Sequence, residues 1–324
     1  MELALYGEDG FYANRGRAGR RAGDFLTSPE VGPLFGAAVA RHLDAEWERI
    51  GRPDPFTVVE AGAGPGTLAR SVLAAAPACT SALRYVAVER SMAQRASHPE
   101  GVEACAELPD DPFEGVVVAN ELLDDLPFRL AVFDGAWREA YVVAAGDGFS
   151  EVLSAPFDPV PDVLPPDAAL GARAPLQDAG ARWVSRAQSL VVHGSVLVVD
   201  YARATTAELA DGPWRDWLRT YRRHERGGHY LAEPGTQDMT ADVALDQLPS
   251  PHRLTTQADW LRRHGLDELV AEGDRAWRAA AARPDVAAMA MRSRHREAEA
   301  LTDPTGLGAF TVAEWMGRGS APAH

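Results

Sequence analysis

The sequence predicts an α/β fold whose core is a doubly wound, mostly parallel β-sheet. Runs rich in valine, alanine and leucine that end in polar residues are typical of strands buried on both faces. Four such runs occur: FTVVEA (56–61), RYVAVE (84–89), EGVVVAN (114–120) and SVLVVDYA (195–202). The segments between them, such as 68–75 and 181–192, can form helices. This repeated strand–helix order predicts helices on both faces of the sheet.

An N-terminal region of about 50 residues precedes the first strand. Its Gly- and Arg-rich beginning is typical of a loop. A helix is expected to start at LTSPE, with Ser28 as N-cap, Pro29 at the first helical position and Glu30 near the positive end of the helix dipole. The following apolar residues recur at helical spacing and predict one continuous helix with a buried face: Val31, Leu34, Phe35, Ala38, Val39, Leu43 and Trp47.

Two later regions interrupt the strand–helix rhythm. The Pro-rich segment 158–170 is interpreted as a surface connection that precedes a helix, and residues 203–264 as an inserted lobe of loops and helices. A strand-like piece at 309–312 could close a sheet edge. We therefore expect a single domain over residues 1–324, with the N-terminal region 1–50 and the lobe attached to it.

Composition and charge exclude several classes of function. The chain has 324 residues, 46% of them hydrophobic and 24% charged, and no apolar run approaches the length of a membrane span. Its first residues lack the features of a signal peptide, so we expect a cytoplasmic protein without a membrane partner. A net charge of -15 argues against nucleic acid and suits a cationic partner. Cys79 and Cys105 have no companions at metal-ligand spacing, so reduced thiols and no metal site are expected.

The chain contains no lysine, since all 32 basic residues are arginine. This excludes Schiff-base and pyridoxal phosphate chemistry and the phosphate clamp of a P-loop. The arginine bias and the Ala, Gly and Pro content indicate a GC-rich coding sequence, and we expect a bacterial source.

The stretch VVEAGAGPGTLA (58–69) predicts a strand, a glycine turn and a helix. A dinucleotide fingerprint needs glycine or alanine where Thr67 stands. The alternate glycines Gly62, Gly64 and Gly66, with Glu60 before them, resemble motif I of class I S-adenosylmethionine (SAM) methyltransferases. SAM carries a sulfonium, an ammonium and a carboxylate but no phosphate. Glu60 could receive the ammonium, and the glycines let the backbone pass close to a ligand; a turn without a ligand is the alternative.

Two further acids suit an adenosine-containing ligand. Glu89 ends the next strand, where a carboxylate can accept both ribose hydroxyls of either SAM or NAD. Glu107 follows a third strand and could hold the adenine edge, although a solvated glutamate fits equally well.

Four strings occur in one order along the chain: GDFLTSPEVGPLFG, EAGAGPGTLA, ANELLDDLP and DYA…LRTYRRH…PGTQDMTADV. Together they resemble the MidA/NDUFAF-seven-type family of SAM-dependent methyltransferases, over nearly the whole chain. The resemblance implies a Rossmann-like class I methyltransferase fold and SAM as cofactor. Mitochondrial members are protein arginine methyltransferases that assist respiratory complex I assembly, which implies a protein substrate with an accessible arginine. The chain departs from the family pattern at Asp242, where histidine is common.

The resemblance also places Asp24, Thr27 and Ser28 at the cofactor. The N–H groups of the Thr27-Ser28 turn could hold the SAM carboxylate, or the turn is only a helix start.

Polar residues at the end of the third buried run are the predicted catalytic group. Asn120, Glu121 and Asp124 follow VVVA, at the sheet edge where ligands bind in open α/β sheets. Carboxylates match the planar fork of a guanidinium, so Glu121 and Asp124 are predicted to orient an arginine and help to remove its proton. Asn120 would line the methionine end of the cofactor, and Asp125 is expected to be a solvated residue or a helix cap.

Other functions remain open from the sequence. A small-molecule N- or O-methyltransferase and a non-catalytic SAM-binding assembly factor are alternatives. The stretch RTYRRHERGGHY (219–230) interleaves arginine with aromatic residues and histidine. In so acidic a chain it is better interpreted as a lobe surface that contacts a protein substrate than as a nucleic-acid site.

Overall fold

The computed structural model describes residues 1–14, 27–146, 148–222, 225–283 and 285–319. Within them the strands are β1 Phe56–Ala61, β2 Leu83–Val88, β3 Glu103–Cys105, β4 Phe113–Asn120, β5 Arg129–Phe133, β6 Trp137–Ala145, β7 Gly148–Pro156, β8 Arg173–Leu176, β9 Val191–Asp200, β10 Ala202–Arg203, β11 Leu218–Arg222, β12 Glu225–Arg226, β13 Asp238–Ala241, β14 Val243–Ala244, β15 Arg253–Thr256 and β16 Thr311–Met316. The α-helices are α1 Glu2–Tyr6, α2 Phe11–Asn14, α3 Ser28–Val31, α4 Pro33–Arg49, α5 Thr67–Ala74, α6 Met92–Arg95, α7 Asp178–Leu190, α8 Thr206–Asp211, α9 Trp214–Trp217, α10 Gln257–Arg263, α11 Leu266–Ala280 and α12 Val286–Leu301.

Seven strands form the central sheet in the order β15–β16–β9–β4–β1–β2–β3. The pairs from β9 to β3 are parallel, whereas β16 runs antiparallel to both β9 and β15. After β3 the chain returns to the other side of β1, so the strand order reverses between β1 and β4. In such sheets ligands bind at the carboxyl ends of the strands beside the reversal. The predicted doubly wound, mostly parallel sheet is confirmed.

Both faces of this sheet are buried. Val58 packs in one apolar cluster with Leu34, Leu43 and Trp260, and its neighbour Val59 packs in another with Val184. Since successive strand residues point to opposite faces, a strand covered on both sides is apolar throughout. This is why the four main strands were readable from the sequence.

The expected single helix after LTSPE is two helices, α3 and α4, separated at Gly32. The expected cap at Ser28 is wrong, since α3 already begins at Ser28 and Thr27 occupies the N-cap position without a side-chain bond. The Ser28 hydroxyl instead donates to Gln257 Oε1 at 2.8 Å. The predicted helix 181–192 also ends early, because β9 begins at Val191.

The structure contains more antiparallel sheet than the sequence predicted. Strands β5 to β8 form a four-stranded sheet after β4, and β11 pairs with β12 and β13 inside the predicted lobe of loops and helices. Residues 253–264, assigned to that lobe, contain β15 of the central sheet and α10. The predicted strand at 309–312 corresponds to β16, which lies between β9 and β15 instead of at the sheet edge.

Among the described helices, none is both long and apolar enough to cross a membrane.

A buried glutamate on α12 accepts a hydrogen bond from the first turn of α4. Glu297 Oε2 accepts the Leu34 N–H at 2.9 Å, and its other oxygen accepts the Ser293 hydroxyl. The first N–H groups of a helix have no partner within the helix, and an acid there also suits the helix dipole. The contact fixes the α3–α4 junction, which carries Thr27, Pro29 and Glu30.

Replacing Glu297 with alanine should lower the free energy of unfolding by about 1–3 kcal/mol, because the buried Leu34 N–H loses its acceptor. Urea unfolding followed by circular dichroism measures this. Glu299→Ala, an exposed site on the same helix, is the matched control and should change stability by less than about 0.5 kcal/mol. Equal effects of the two substitutions would contradict the capping role.

Candidate active site

A cavity of about 560 Å³ opens at the carboxyl ends of β1, β2 and β4. Among the described residues, its lining contains two arginines, Arg90 and Arg186, against eight acidic residues. The acids are Glu2, Glu30, Glu60, Glu89, Glu107, Asp110, Glu121 and Asp125. The low-dielectric walls of a cleft concentrate such a field, so this cavity favours cationic ligands.

The glycine turn after β1 forms one wall of the cavity. Gly62, Gly64 and Gly66 have φ values of 71°, 51° and 79°, in the left-handed region that glycine adopts without strain. A Cβ on Gly62 would lie 3.2 Å from the Leu122 side chain, and one on Gly66 would lie 3.1 Å from His98. Both the backbone conformation and the neighbouring side chains therefore require glycine in this turn.

Two glutamates stand beside the glycine turn. Glu60 is buried at the end of β1, where the Tyr85 hydroxyl donates to Oε2 at 2.7 Å and burial raises the pKa of Glu60 to about 7. Glu89 follows β2, and its oxygens accept the N–H groups of Gly64 at 3.0 Å and Ser91 at 2.7 Å. A carboxylate has about four lone-pair sites, so Glu89 keeps acceptor capacity for a ligand hydroxyl.

The turn after β4 places Asn120 and Glu121 opposite the glycine turn. Glu121 has a φ of 53°, which is rare for a residue with a side chain and occurs often at functional sites. Its Oε1 accepts Asn120 Nδ2 at 3.0 Å and the Ser28 N–H at 3.4 Å. Burial, together with the charge of Asp124, raises the pKa of Glu121 to about 8. Asn120 Oδ1 is buried and has no hydrogen-bond partner among the described residues, so it is available to a ligand donor.

Asp124 and Asp125 have positions that differ from the predicted ones. The Asp124 carboxylate is buried away from the cavity, where it accepts the hydroxyls of Thr240 at 2.6 Å and of Tyr201. Asp125 lines the cavity and accepts the Tyr12 hydroxyl. The expectation that Asp125 is solvated or a helix cap is wrong, since it is buried and no helix lies between β4 and β5. A catalytic role for Asp124 stays a prediction, but its geometry allows an effect through its neighbours and no contact with a ligand in this cavity.

Burial raises the pKa of Asp125 well above its usual range, and the charges of Asp124 and Asp238 raise it further. Burial likewise raises the pKa of Asp124. Several carboxyl groups thus share a small volume, and a ligand that brings positive charge would stabilise their ionised forms.

The remaining predicted residues divide into three groups. Thr27 and Glu107 line the cavity. Ser28 contributes its N–H to Glu121, while its side chain is bonded to Gln257 and does not line the cavity. Asp24 lies outside the described residues.

Three positions in the site were missed by the sequence analysis. Tyr6 and Tyr12 stack with ring centroids 5.6 Å apart, and both line the cavity from the N-terminal helices. Asp200, at the end of β9, accepts the N–H groups of Leu123 at 2.9 Å and Asp124 at 3.4 Å, so it holds the turn after β4. A polar residue that ends a buried strand was the available signal for Asp200; the tyrosines gave none, because their partners are distant in sequence.

No cluster of three or more potential metal ligands occurs within the part of the chain that the structure describes.

A glycine turn after β1, with acids at the ends of β1 and β2, defines a nucleoside-binding α/β fold of the methyltransferase class. A family model described as "Putative S-adenosyl-L-methionine-dependent methyltransferase" matches residues 38–264, and the chain belongs to this family.

Curated relatives carry the name protein arginine methyltransferase NDUFAF7, mitochondrial. The Drosophila melanogaster homolog is 31% identical over 285 residues, in a match that covers 75% of this chain and 62% of that protein. The Homo sapiens protein is 26% identical over 277 residues, in a match that covers 74% of this chain and 61% of that protein. The chain therefore spans about three fifths of the length of these relatives.

A solved structure from Burkholderia thailandensis, bound to S-adenosyl-homocysteine, superposes with a TM-score of 0.80 and 26% identity. The match covers 99% of this chain and 87% of that one. A native structure from the same organism gives a TM-score of 0.77 at 26% identity.

The raised pKa of Glu121 predicts that the free energy of unfolding depends on pH, which can be measured without a ligand. Between its ordinary value of 4.5 and about 8, the folded protein binds a proton at Glu121 that the unfolded chain releases. This contribution is fully present below pH 4.5 and is lost as the pH rises through 8. At about 1.4 kcal/mol per pKa unit, the free energy of unfolding should fall about 2–4 kcal/mol further in the wild type than in Glu121→Gln between pH 5 and 9.

Urea unfolding across this pH range makes the comparison. Glu100→Gln, an exposed substitution, should follow the wild type. A Glu121→Gln variant that loses as much stability as the wild type would show that Glu121 ionises normally.

Proposed function

We propose that this chain transfers a methyl group from SAM to a guanidino nitrogen of arginine in a protein. The observation that carries the proposal is the pair Glu121 and Asp125 on the wall of an acidic cavity that also contains the glycine turn. The arginine guanidinium is cationic at any physiological pH and has donors in a fixed fork, so it suits two carboxylates. The names of the relatives support a protein arginine as the acceptor.

The cavity fits SAM in several respects. The glycine turn leaves room where a Cβ at Gly62 or Gly66 would meet its neighbours. Glu89 keeps acceptor capacity for ribose hydroxyls, and Glu60 and Asn120 offer acceptors to the ammonium. The S-adenosyl-homocysteine complex of the Burkholderia protein supports the same cofactor here. When bound, SAM supplies a methyl group activated by a positively charged sulfur.

The reaction needs positioning more than covalent help. A guanidino nitrogen forms the N–CH₃ bond as the S–CH₃ bond breaks, and the sulfur keeps the bonding electrons and becomes a neutral thioether. One N–H proton leaves the acceptor, so the product keeps a single positive charge. Glu121 and Asp125 bind the guanidinium, and Tyr12 and Asn120 hold these two carboxyl groups in place.

The proton of the acceptor passes to Glu121 in this proposal. The protein groups around Glu121 raise its pKa to about 8, so much of it is protonated near neutrality. Nearby positive charge favours the carboxylate. Binding of SAM and of the arginine guanidinium, both cationic, therefore releases that proton. Glu121 can then accept the proton that leaves the guanidinium when the methyl group is transferred.

Titrating the protein with S-adenosyl-homocysteine in a calorimeter tests the cofactor. We expect binding, no heat from NAD, and at least about tenfold weaker binding by Glu89→Ala, which removes the acceptor of Gly64 and Ser91. Glu100→Ala is the matched control and should bind as the wild type does. Absence of heat from S-adenosyl-homocysteine would overturn the methyltransferase proposal.

Incubating the protein and radiolabelled SAM with host lysate tests the acceptor. We expect label in protein bands, recovered as methylarginine after hydrolysis, and a kcat lowered by about 10²–10⁴ in Glu121→Gln. A normal rate in this variant would remove Glu121 from the mechanism. Label only in small molecules would overturn the protein acceptor, and binding without any transfer would overturn catalysis.

A further inference from the structure

A second, smaller cavity of about 190 Å³ lies in the lobe between α9, β11 and the segment after β12. We call it the basic pocket. The ten residues that line it in the described part of the chain include Arg215, Arg219, Arg226 and His229 but no acid. This is the reverse of the acidic active-site cavity, in a chain whose net charge is -15.

The arginines of the basic pocket have guanidinium N–H groups that no carboxylate of the described residues accepts. Neither Arg215 nor Arg226 forms an ion pair with a carboxylate of the described residues. The Arg226 side chain donates to the Arg215 backbone carbonyl, which holds it against α9, and the Arg215 guanidinium lies 4.5 Å from the centre of the Trp214 ring. Arg219 Nη2 is 2.7 Å from Asp242 Oδ1, but its buried Nε has no acceptor in the described part of the chain. Guanidinium groups so placed match carboxylates, which they bind in a bidentate way.

An exposed apolar face adjoins the basic pocket. Tyr230, which lines the pocket, donates to Glu151 of β7, and Arg173 of β8 bonds to both. Val142 of β6 is the cross-strand partner of Glu151, and Phe149 and Leu153 are two residues from it on β7, so all three share its face. They are 54%, 48% and 38% exposed. A small anion needs no such surface, whereas apolar side chains around a polar pocket are typical of a polypeptide interface.

The basic pocket is also close to the active site. The Arg219 guanidinium lies 4.7 Å from the centre of the Tyr201 ring, and the Tyr201 hydroxyl donates to Asp124. Asp124 precedes Asp125, which lines the acidic cavity. The two pockets, of opposite charge, are therefore linked by the contacts of Arg219, Tyr201 and Asp124.

We propose that the basic pocket and the exposed face of Val142, Phe149 and Leu153 dock an acidic segment of the polypeptide that carries the target arginine. The arginine enters the acidic cavity while carboxylates of the same polypeptide bind Arg215, Arg219 and Arg226. This inference rests on the proposed function for its acceptor, but the docking can be measured without methyl transfer.

The probe is a fluorescein-labelled peptide, acetyl-Glu-Glu-Leu-Phe-Glu-Glu-amide, which contains no arginine. Its binding to the full chain is followed by fluorescence anisotropy. We expect binding that weakens with salt, and about tenfold weaker binding when the glutamates are replaced by glutamine. The double variant Arg215→Ala/Arg226→Ala should weaken binding by at least about tenfold, and Val142→Ser/Leu153→Ser several-fold.

Arg292→Ala is the matched control, because its exposed guanidinium lies 4.7 Å from the Trp277 ring centre on a distant helix pair. It should bind the peptide as the wild type does. Unchanged binding by the Arg215→Ala/Arg226→Ala variant would overturn the proposal. Displacement of the peptide by inorganic phosphate at lower concentration than by glutarate would also overturn it, since the pocket would then be a phosphate site.

Failure of this inference is separable from failure of the proposed function. If the lysate contains a protein acceptor, the Arg215→Ala/Arg226→Ala variant should raise its KM about tenfold with kcat unchanged, because it removes binding away from the reacting atoms. An unchanged KM would contradict the docking surface and leave the proposed function standing. Binding of the peptide without binding of S-adenosyl-homocysteine would contradict the proposed function and leave the docking surface standing.

Discussion

The parallel pairing of β1 with β4 is the constraint on which the site depends. Glu60 and Ala61 of β1 lie beside Val118 and Ala119 of β4, so both strands end at the same edge of the sheet. The glycine turn follows β1 and the turn at Glu121 follows β4, so the two turns lie side by side at this edge. The Leu122 side chain packs against Gly62 there. A one-residue change of register would turn Asn120 to the other face and separate the two halves of the site.

The second organising feature is a concentration of acids near the cavity that, among the described residues, hydrogen bonds hold in place instead of ion pairs. Asp200 is bound by three backbone N–H groups, Asp124 by two hydroxyls and Glu89 by two N–H groups. Neutral donors orient a carboxylate without cancelling its charge. The negative potential of the cavity is thereby kept for a cationic ligand, and the cost appears as raised pKa values and lower stability at high pH.

The sequence predicted the parts of this arrangement that depend on neighbours along the chain. The four strands were readable because burial on both faces makes them apolar throughout, and Glu60, the three glycines and Glu89 because their spacing is local. The sheet β5–β8 was not readable, since β6 and β7 carry exposed apolar residues on both faces and no alternation marks an inner side.

Asp124 and Asp125 show what the sequence could not predict about the direction of side chains. They are adjacent in sequence, and only the left-handed turn at Glu121 and contacts with Tyr12 and Thr240, more than 100 residues away, decide which one faces the cavity. Side-chain direction after a turn of this kind depends on tertiary packing. The family resemblance located the string, and the structure was needed to orient it.

The Tyr12 hydroxyl has one proton and two carboxylates in reach, because it contacts both Asp125 and Asp238, the latter at 3.0 Å. The other oxygen of Asp125, Oδ1, is buried and has no hydrogen-bond partner among the described residues. A guanidinium supplies several donors and a positive charge at once. The proposed arginine acceptor therefore offers a donor to Asp125 Oδ1, and a molecule without a comparable set of donors would leave that oxygen without one.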